Sequence, residues 1–447
     1  MRRSLLDLLA PVLAVLGLIL LAVGYGFVAA REGLFPAKQL GAADEALRSV
    51  WKAYLQPEWR TTKGFTYDVP AVASAVTVHD PARMAPGATL VVGYTEDGFG
   101  AWLVDEQGQK LHQWRIPFSG VFPQPDHVQW NAGDKALAWH GAHLFPNGDL
   151  LFNFQDNNFP YGSGLVKIDK DSKVLWKLAR NTHHDVTVDE DGSIWVPSLH
   201  YRPEGIPSTP HIKPWYYEDT VLHVSPDGEV IEEISILDAI AAGAPGLLSL
   251  NYTDNLDIPG GDVFHLNNAE PLPASIAAAF PMFKAGDLLV SLRNVNAAVV
   301  IDRATKRAKW VLTGPFAKQH DPDFLPNGHI LLLDNQGGDP ACGGSRVVEI
   351  DPATQAVVWQ YDGCADPRHF HSLLRGMEQL LPNGNVLITE AQGGRVFEVT
   401  RDLQPVIVWE YFNVLAQQQG ATRIGLVNHG ERFAPGTLDF LAPPPQP

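Results

Sequence analysis

The sequence predicts an all-β fold, a six-bladed β-propeller preceded by an N-terminal transmembrane helix and a short amphipathic helix. Three observations predict it: a composition poor in charge and rich in turn formers, a hairpin signature repeated six times, and one long apolar stretch at the amino terminus. Of 447 residues, 19% are charged and 45% hydrophobic, with 40 Gly and 35 Pro. Such a mixture suits many short strands joined by sharp turns.

The repeat has two alternating parts. The first is a turn followed by an apolar run, as in FPNGDLLFNF, DEDGSIWVPS, KAGDLLVSL, LPNGHILLLD and LPNGNVLITE. The glycine of these turns supplies the positive φ that a tight reversal needs. The second is a hairpin with an acidic turn, often ending near a tryptophan: AWLVDEQGQKLHQW, GLVKIDKDSKVLW, TVLHVSPDGEVIEE, AVVIDRATKRAKW, RVVEIDPATQAVVW and GRVFEVTRDLQPVIVW. A lone unit of this size cannot bury both faces, so the copies must pack side by side into a ring. Blades are expected near 88–116, 140–178, 184–234, 262–312, 320–361 and 378–411, with the strands after Arg423 completing the ring. A seven-bladed ring is the alternative, with 65–87 or 423–441 forming more than a closing strand.

At the amino terminus Arg2 and Arg3 precede an uncharged stretch from Leu8 to Ala30. A spanning helix needs roughly 20 apolar residues, whereas a signal-peptide core is usually about 7–15. The length favours an anchor with its basic end in the cytoplasm and the bulk of the chain periplasmic. A cleaved signal is the alternative, because Val28-Ala29-Ala30 resembles a cleavage site. The expected layout is an anchor or signal over 1–33, a helical linker and lead-in over 34–87 (amphipathic from 37 to 56), the propeller over 88–441 and a Pro-rich tail over 442–447. Cys342 and Cys364 flank the hairpin RVVEIDPATQAVVWQY almost symmetrically, so antiparallel pairing brings them into disulfide range. The net charge of −17, without a basic run beyond the first few residues, excludes nucleic acid as a partner.

Aligning the turns puts histidines in register. His140 lies six residues before Pro146, His184 six before Glu190, and His320 six before Pro326, where each innermost strand begins. Equivalent positions on different blades converge on one axis. His265 opens the fourth blade in a similar place, and the sixth has Gly376 there. A repeated histidine can also be purely architectural, and with Asp185 and Asp321 the set could ligate a metal. No short local ligand pair supports that, so no metal ligand and no cofactor is assigned. Arg293 sits just after an innermost strand beside Asn294, and a guanidinium among imidazoles makes an anion trap.

The segments WHGAHLFPNGDLLFNF, HHDVTVDEDGSIWV, DLLVSLRNVNAAVVIDRATKRAKWVLTGPFAKQHDPDFLPNGHILLLDN, SRVVEIDPATQAVVWQY and LPNGNVLITEAQGGRVFEV resemble the bacterial arylsulfotransferase family over about 140–412. The resemblance implies a periplasmic six-bladed propeller that moves a sulfuryl group from an aryl sulfate to a phenol through a sulfated histidine. Carried over, it makes His320 the nucleophile and Arg293 the oxyanion binder. His184 and His265 join the catalytic group, with His140 and Asn267 at the substrate. The chain departs from the family in the insertion AEPLPASIAAAF after His265 and in its membrane segment (8–30). The alternative function is a non-catalytic, membrane-anchored scaffold or accessory subunit of a membrane complex.

Overall fold

The computed structural model describes residues 5–32, 34, 64–128, 133–156, 159–204, 212, 215–250 and 261–441. The amphipathic helix expected over 37–56 and the tail over 442–447 lie outside the described residues. Helix α1 covers Leu5–Glu32. Its 28 residues rise about 42 Å, and its side chains are described over 13–29. Among the described residues no helix is long and apolar enough to cross a membrane.

Six of the seven antiparallel sheets in the remainder stand in a propeller-like arrangement. From the centre outward, the first sheet runs Val427–Phe433, Ala88–Thr95, Gly98–Val104, Lys110–Trp114. The second runs Ala138–Leu144, Leu150–Gln155, Gly162–Ile168, Val174–Leu178. The third runs Thr187–Val188, Ile194–Arg202, Tyr216–Val224, Val230–Ser235. The fourth runs Leu266–Pro271, Leu288–Leu292, Ala297–Asp302, Arg307–Thr313. The fifth runs His320–Phe324, Ile330–Asp334, Arg346–Asp351, Ala356–Tyr361. The sixth runs Met377–Leu380, Val386–Glu390, Arg395–Val399, Ile407–Phe412, with Val76–His79 as a fifth strand.

Val427–Phe433, from the end of the chain, pairs with Ala88–Thr95 and packs on Val386–Glu390 of the sixth sheet. The ring therefore closes through strands after Arg423, as expected. Residues 65–87 and 413–426 do more than connect. Thr66–Pro70, Val414–Gln418 and Ala421–Gly425 form a separate three-stranded sheet rather than a seventh blade. The lead-in is thus partly strand, where a helical linker was expected.

Four of the five hairpin tryptophans bridge the seams. The indole N–H of Trp114 donates to the Gly148 carbonyl of the next sheet at 3.0 Å. Trp176 does the same to Pro226 at 3.0 Å, Trp310 to Pro352 at 3.1 Å and Trp409 to Glu106 at 2.9 Å. Each acceptor lies in the neighbouring sheet's turn, so a large apolar ring fills the seam while its polar edge is satisfied.

The insertion after His265 folds away from that residue. It forms a short 3₁₀ turn, Ala277–Ala279, and buries Leu272 and Phe280 in the core between the fourth and fifth sheets, beside Phe283 just after it. Its Ala279 carbonyl lies so close to Gly328 that a Cβ there would meet it at 2.5 Å, and φ is +87°. Only glycine fits this turn.

Cys342 and Cys364 are bonded, with Cα atoms 4.6 Å apart, beside the hairpin Arg346–Asp351/Ala356–Tyr361. Arg346, at the start of that hairpin, pairs with Asp334 at 2.8 Å. The bond closes a loop of 22 residues, which should restrict the unfolded chain by about 3 kcal/mol. The double substitution Cys342→Ser/Cys364→Ser should lower the urea midpoint by that amount with an unchanged far-UV spectrum. An unchanged midpoint would mean that the bond adds nothing to the folded state.

Candidate active site

The inner strands are not regular β where the aligned histidines stand. Pairing shifts register at His140/Ala142, at Leu266/Asn268 and at His320/Asp323. Positive φ occurs at Gly141 (42°), His184 (54°), His265 (56°), Asp321 (51°) and Arg375 (64°). A bulge of this kind bends the strand and re-aims its side chains. At Gly141 a Cβ would come within 2.2 Å of the His184 carbonyl, which explains the glycine beside His140.

The bends bring four predicted histidines together. Ring centroids are 5.2 Å apart for His140 and His184, 4.9 Å for His184 and His265, and 6.4 Å for His184 and His320. All four are buried; His320 is 4% exposed and His265 9%. His183 joins them, its Nδ1 2.7 Å from that of His184. Neither ring nitrogen of His140 has a partner among the described residues. Arg293 lies within the group electrostatically: after burial, its charge is the largest cause depressing His320. Its Nη1 donates to Asn294 Oδ1 at 3.2 Å. Asn267 is held differently, its Nδ2 donating to the Gln319 carbonyl at 2.9 Å, so it ties the fourth sheet to the fifth.

Sequence reasoning missed four residues. Arg375 faces the group from the sixth sheet, donating to Asn428 Oδ1 at 2.7 Å and, through its backbone N–H, to His320 Nε2 at 3.3 Å. It directly precedes Gly376, the one odd residue in the aligned register, and that adjacency was the available signal. Asp262 accepts from His265 Nδ1 at 2.7 Å. Tyr161 sits between His184 and His265, with centroids at 5.8 and 5.1 Å. Asn335 contacts His320.

Asn335 sets the tautomer of His320. Its Nδ2 donates to the Ser372 carbonyl at 2.6 Å and the Arg375 carbonyl at 2.8 Å. With both amide hydrogens committed, Oδ1 must face His320 Nδ1, 2.7 Å away. The Lys318 carbonyl, 3.1 Å from the same nitrogen, is a second acceptor. Nδ1 therefore carries the hydrogen and Nε2 the lone pair. By the same logic Asp262 leaves His265 Nε2 as the basic nitrogen.

Burial depresses every histidine of the group. His320 and His183 are each lowered to about 3, first by burial and then by Arg293 and His265 respectively. His140 and His184 also fall well below the usual range through burial and neighbouring charge. Burial and then the Asp262 carboxylate push the Tyr161 phenol well up. Loss of solvation brings Arg375 down to about 10. The result is a set of neutral imidazoles beside two guanidiniums, a receptor for an anion that also offers uncharged nucleophilic nitrogen.

Comparison with known families now applies to this geometry. Residues 141–413, more than half of the chain, match the arylsulfotransferase (ASST) family. The chain belongs to the arylsulfotransferase family. No curated protein matches the sequence. Among solved structures, a Bacteroides caccae protein of unknown function is similar at 15% identity and a TM-score of 0.48, over 77% of this chain and 98% of that one. Virginiamycin B lyase from Staphylococcus aureus with quinupristin is similar at 10% and 0.38, over 78% and 88%. A streptogramin B lyase is similar at 13% and 0.39, over 80% and 88%. At these scores the structures add nothing to the argument on function. Family membership carries aryl sulfate and phenol as the donor and acceptor classes.

The depressed histidines have a pH consequence. A group whose folded pKa lies below its unfolded value of about 6.5 contributes fully above that pH, and the contribution is lost as the pH falls towards the folded value. His183→Gln removes one such group. The stability of wild type relative to this variant should therefore fall by up to roughly 1.4 kcal/mol per unit as pH drops from about 6.5 towards 3. Urea titrations of both proteins across that range measure the gap. A gap independent of pH would show that folding does not depress His183.

Proposed function

We propose that the chain transfers a sulfuryl group from an aryl sulfate to a phenolic acceptor through a sulfohistidine on His320. The observation that carries the reading is the fixed neutral tautomer of His320, whose Nε2 lone pair stands among imidazoles and near two guanidiniums and is held by one long bond from the Arg375 N–H at 3.3 Å, which an incoming sulfur must displace. In the first half-reaction Nε2 attacks sulfur, the N–S bond forms, and the S–O bond to the aryl group breaks. Arg293, with Arg375, binds the peripheral oxygens, on which charge spreads as the bonds loosen. The leaving phenolate takes its proton from solvent, because Asp262 leaves His265 Nε2 with a lone pair and no hydrogen. In the second half that lone pair takes the proton of the acceptor phenol and passes it to solvent, while the phenol oxygen attacks sulfur, the N–S bond breaks, and His320 returns as the neutral imidazole. His140, with both ring nitrogens lacking a partner among the described residues, Asn267, whose Oδ1 also lacks one among them, and His184 border the place left for the substrate.

We also propose that α1 anchors the protein in the inner membrane with residues 64–441 in the periplasm. Three features support this: Arg2 and Arg3 ahead of the helix, the exposure of Leu13, Leu16, Leu20, Leu21, Val23 and Phe27 along it, and the disulfide, which persists in oxidising compartments. The rival reading, an anchored scaffold without activity that belongs to a membrane complex, has one observation in its favour: the near-complete closure of the site around His320.

Steady-state kinetics separate the two readings. Phenol release from a chromogenic aryl sulfate should depend on an acceptor phenol and give parallel double-reciprocal lines. His320→Ala should abolish turnover while the protein stays folded. Arg293→Lys should cut kcat/KM by roughly 10²–10³, because an ammonium cannot meet two oxygens with one planar fork. Folded wild-type protein that is inert towards a panel of aryl sulfates would support the scaffold instead.

A further inference from the structure

Below the histidines the inner strands carry a layer of carboxylates to which the sulfotransfer reading gives no role. Asp321 and Asp323 lie on His320–Phe324 of the fifth sheet, and Glu378 on Met377–Leu380 of the sixth. One ligand oxygen from each falls within 4.8 Å of the other two. Glu378 is 2% exposed, and neither of its carboxylate oxygens has a hydrogen-bond partner among the described residues. An unpaired carboxylate in that position is costly. Asp321 accepts from the Glu378 N–H at 3.2 Å and from Asn268 Nδ2 at 3.3 Å, which leaves further lone pairs open on its two oxygens. The Oδ1 of Asn268 also lacks a partner among the described residues. The surrounding groups make matters worse. Asp185 and Glu270 are acidic too, and burial with mutual repulsion raises all three clustered carboxyls well above their ordinary range. Asp323 is partly exposed, so the cluster has a route to solvent.

We propose that Asp321, Asp323 and Glu378 bind a divalent cation of the hard, oxygen-preferring class, for which calcium is the first probe. Carboxylate oxygens without nitrogen or sulfur donors select such ions. The ion would neutralise the layer and join the fifth sheet to the sixth directly beneath His320 and Arg375. Asp321 and Asp323 form the local pair D-x-D, and the third ligand comes from another blade. This site does not rest on the sulfotransfer reading, and its failure would leave that reading intact.

The test uses the full chain stripped with EDTA. Addition of calcium should raise Tm by several degrees in a saturable way, through binding to the folded state alone. Magnesium and manganese serve as comparison arms. Elemental analysis after dialysis against calcium should return one ion per chain. Asp323→Asn and Glu378→Gln should each abolish the shift, while the stripped variants unfold no lower than stripped wild type, because a repelling charge has gone. If the buried Glu378→Gln protein does not fold, Asp323→Asn at the partly exposed position decides alone. No shift with any of the three ions, or a full shift that survives Asp323→Asn, would overturn the proposal.

Discussion

One recurring bond holds this ring in register: a side-chain amide or carboxylate from one sheet that binds the main chain of the next near the inner strands. Asn428 donates to the Trp139 carbonyl at 2.7 Å, and Asn153 to that of His184 at 3.1 Å. Asp219 accepts from the N–H groups of Phe264 and Leu266 at 3.2 and 3.0 Å. Asn267 donates to Gln319, Asn335 to Ser372 and Arg375, and Asn413 to Tyr94 at 2.9 Å. Each of the six seams has one. The cause is local. Where the inner strands bend through positive φ they leave the ladder, and buried main-chain groups lose their strand partners. A short polar side chain from the adjoining sheet restores them. Such bonds add only about 1 kcal/mol each, but a buried group left unpaired costs roughly 1–3. That asymmetry maintains the strained residues at His184, His265 and Arg375.

Five of the six latches end on, or next to, a residue of the site. Trp139 precedes His140, Gln319 precedes His320, and Phe264 and Leu266 flank His265. Architecture and chemistry therefore share atoms. Asn335 shows this most directly, since the hydrogen bonds by which it ties two sheets together also orient the oxygen that fixes the tautomer of His320. The reading of repeated histidines as purely architectural and the reading of them as functional do not compete here. The strand entrance is architectural, and its bend presents the ring.

The turns, the hairpins and the histidine register were legible because each is written within about ten consecutive residues, where φ requirements and alternation act. Blade limits agreed with the strands to within a few residues for the same reason. What crosses a seam was not legible. Asn335 and Asp262 act through a partner, and nothing in their own neighbourhoods marks them. Arg375 was hidden by attention to the aligned position, where Gly376 stands. Asp323, two residues after Asp321, was not singled out, because its significance depends on Glu378, which arrives from the next sheet. The strands Thr66–Pro70 and Val76–His79 were missed because they are short and follow a long helical pattern. Their partners lie more than 300 residues away, at Ala421–Gly425 and Ile407–Phe412.

The central claim is that the seam latches present one neutral histidine nitrogen, His320 Nε2, as a sulfuryl carrier. Peptide mass spectrometry after brief exposure to an aryl sulfate without acceptor, under conditions that preserve the N–S bond, tests it most directly. The account predicts one added sulfuryl group on the peptide containing His320, lost again when a phenol is supplied. A sulfuryl group on another residue, or phenol released with no modified peptide, would contradict it.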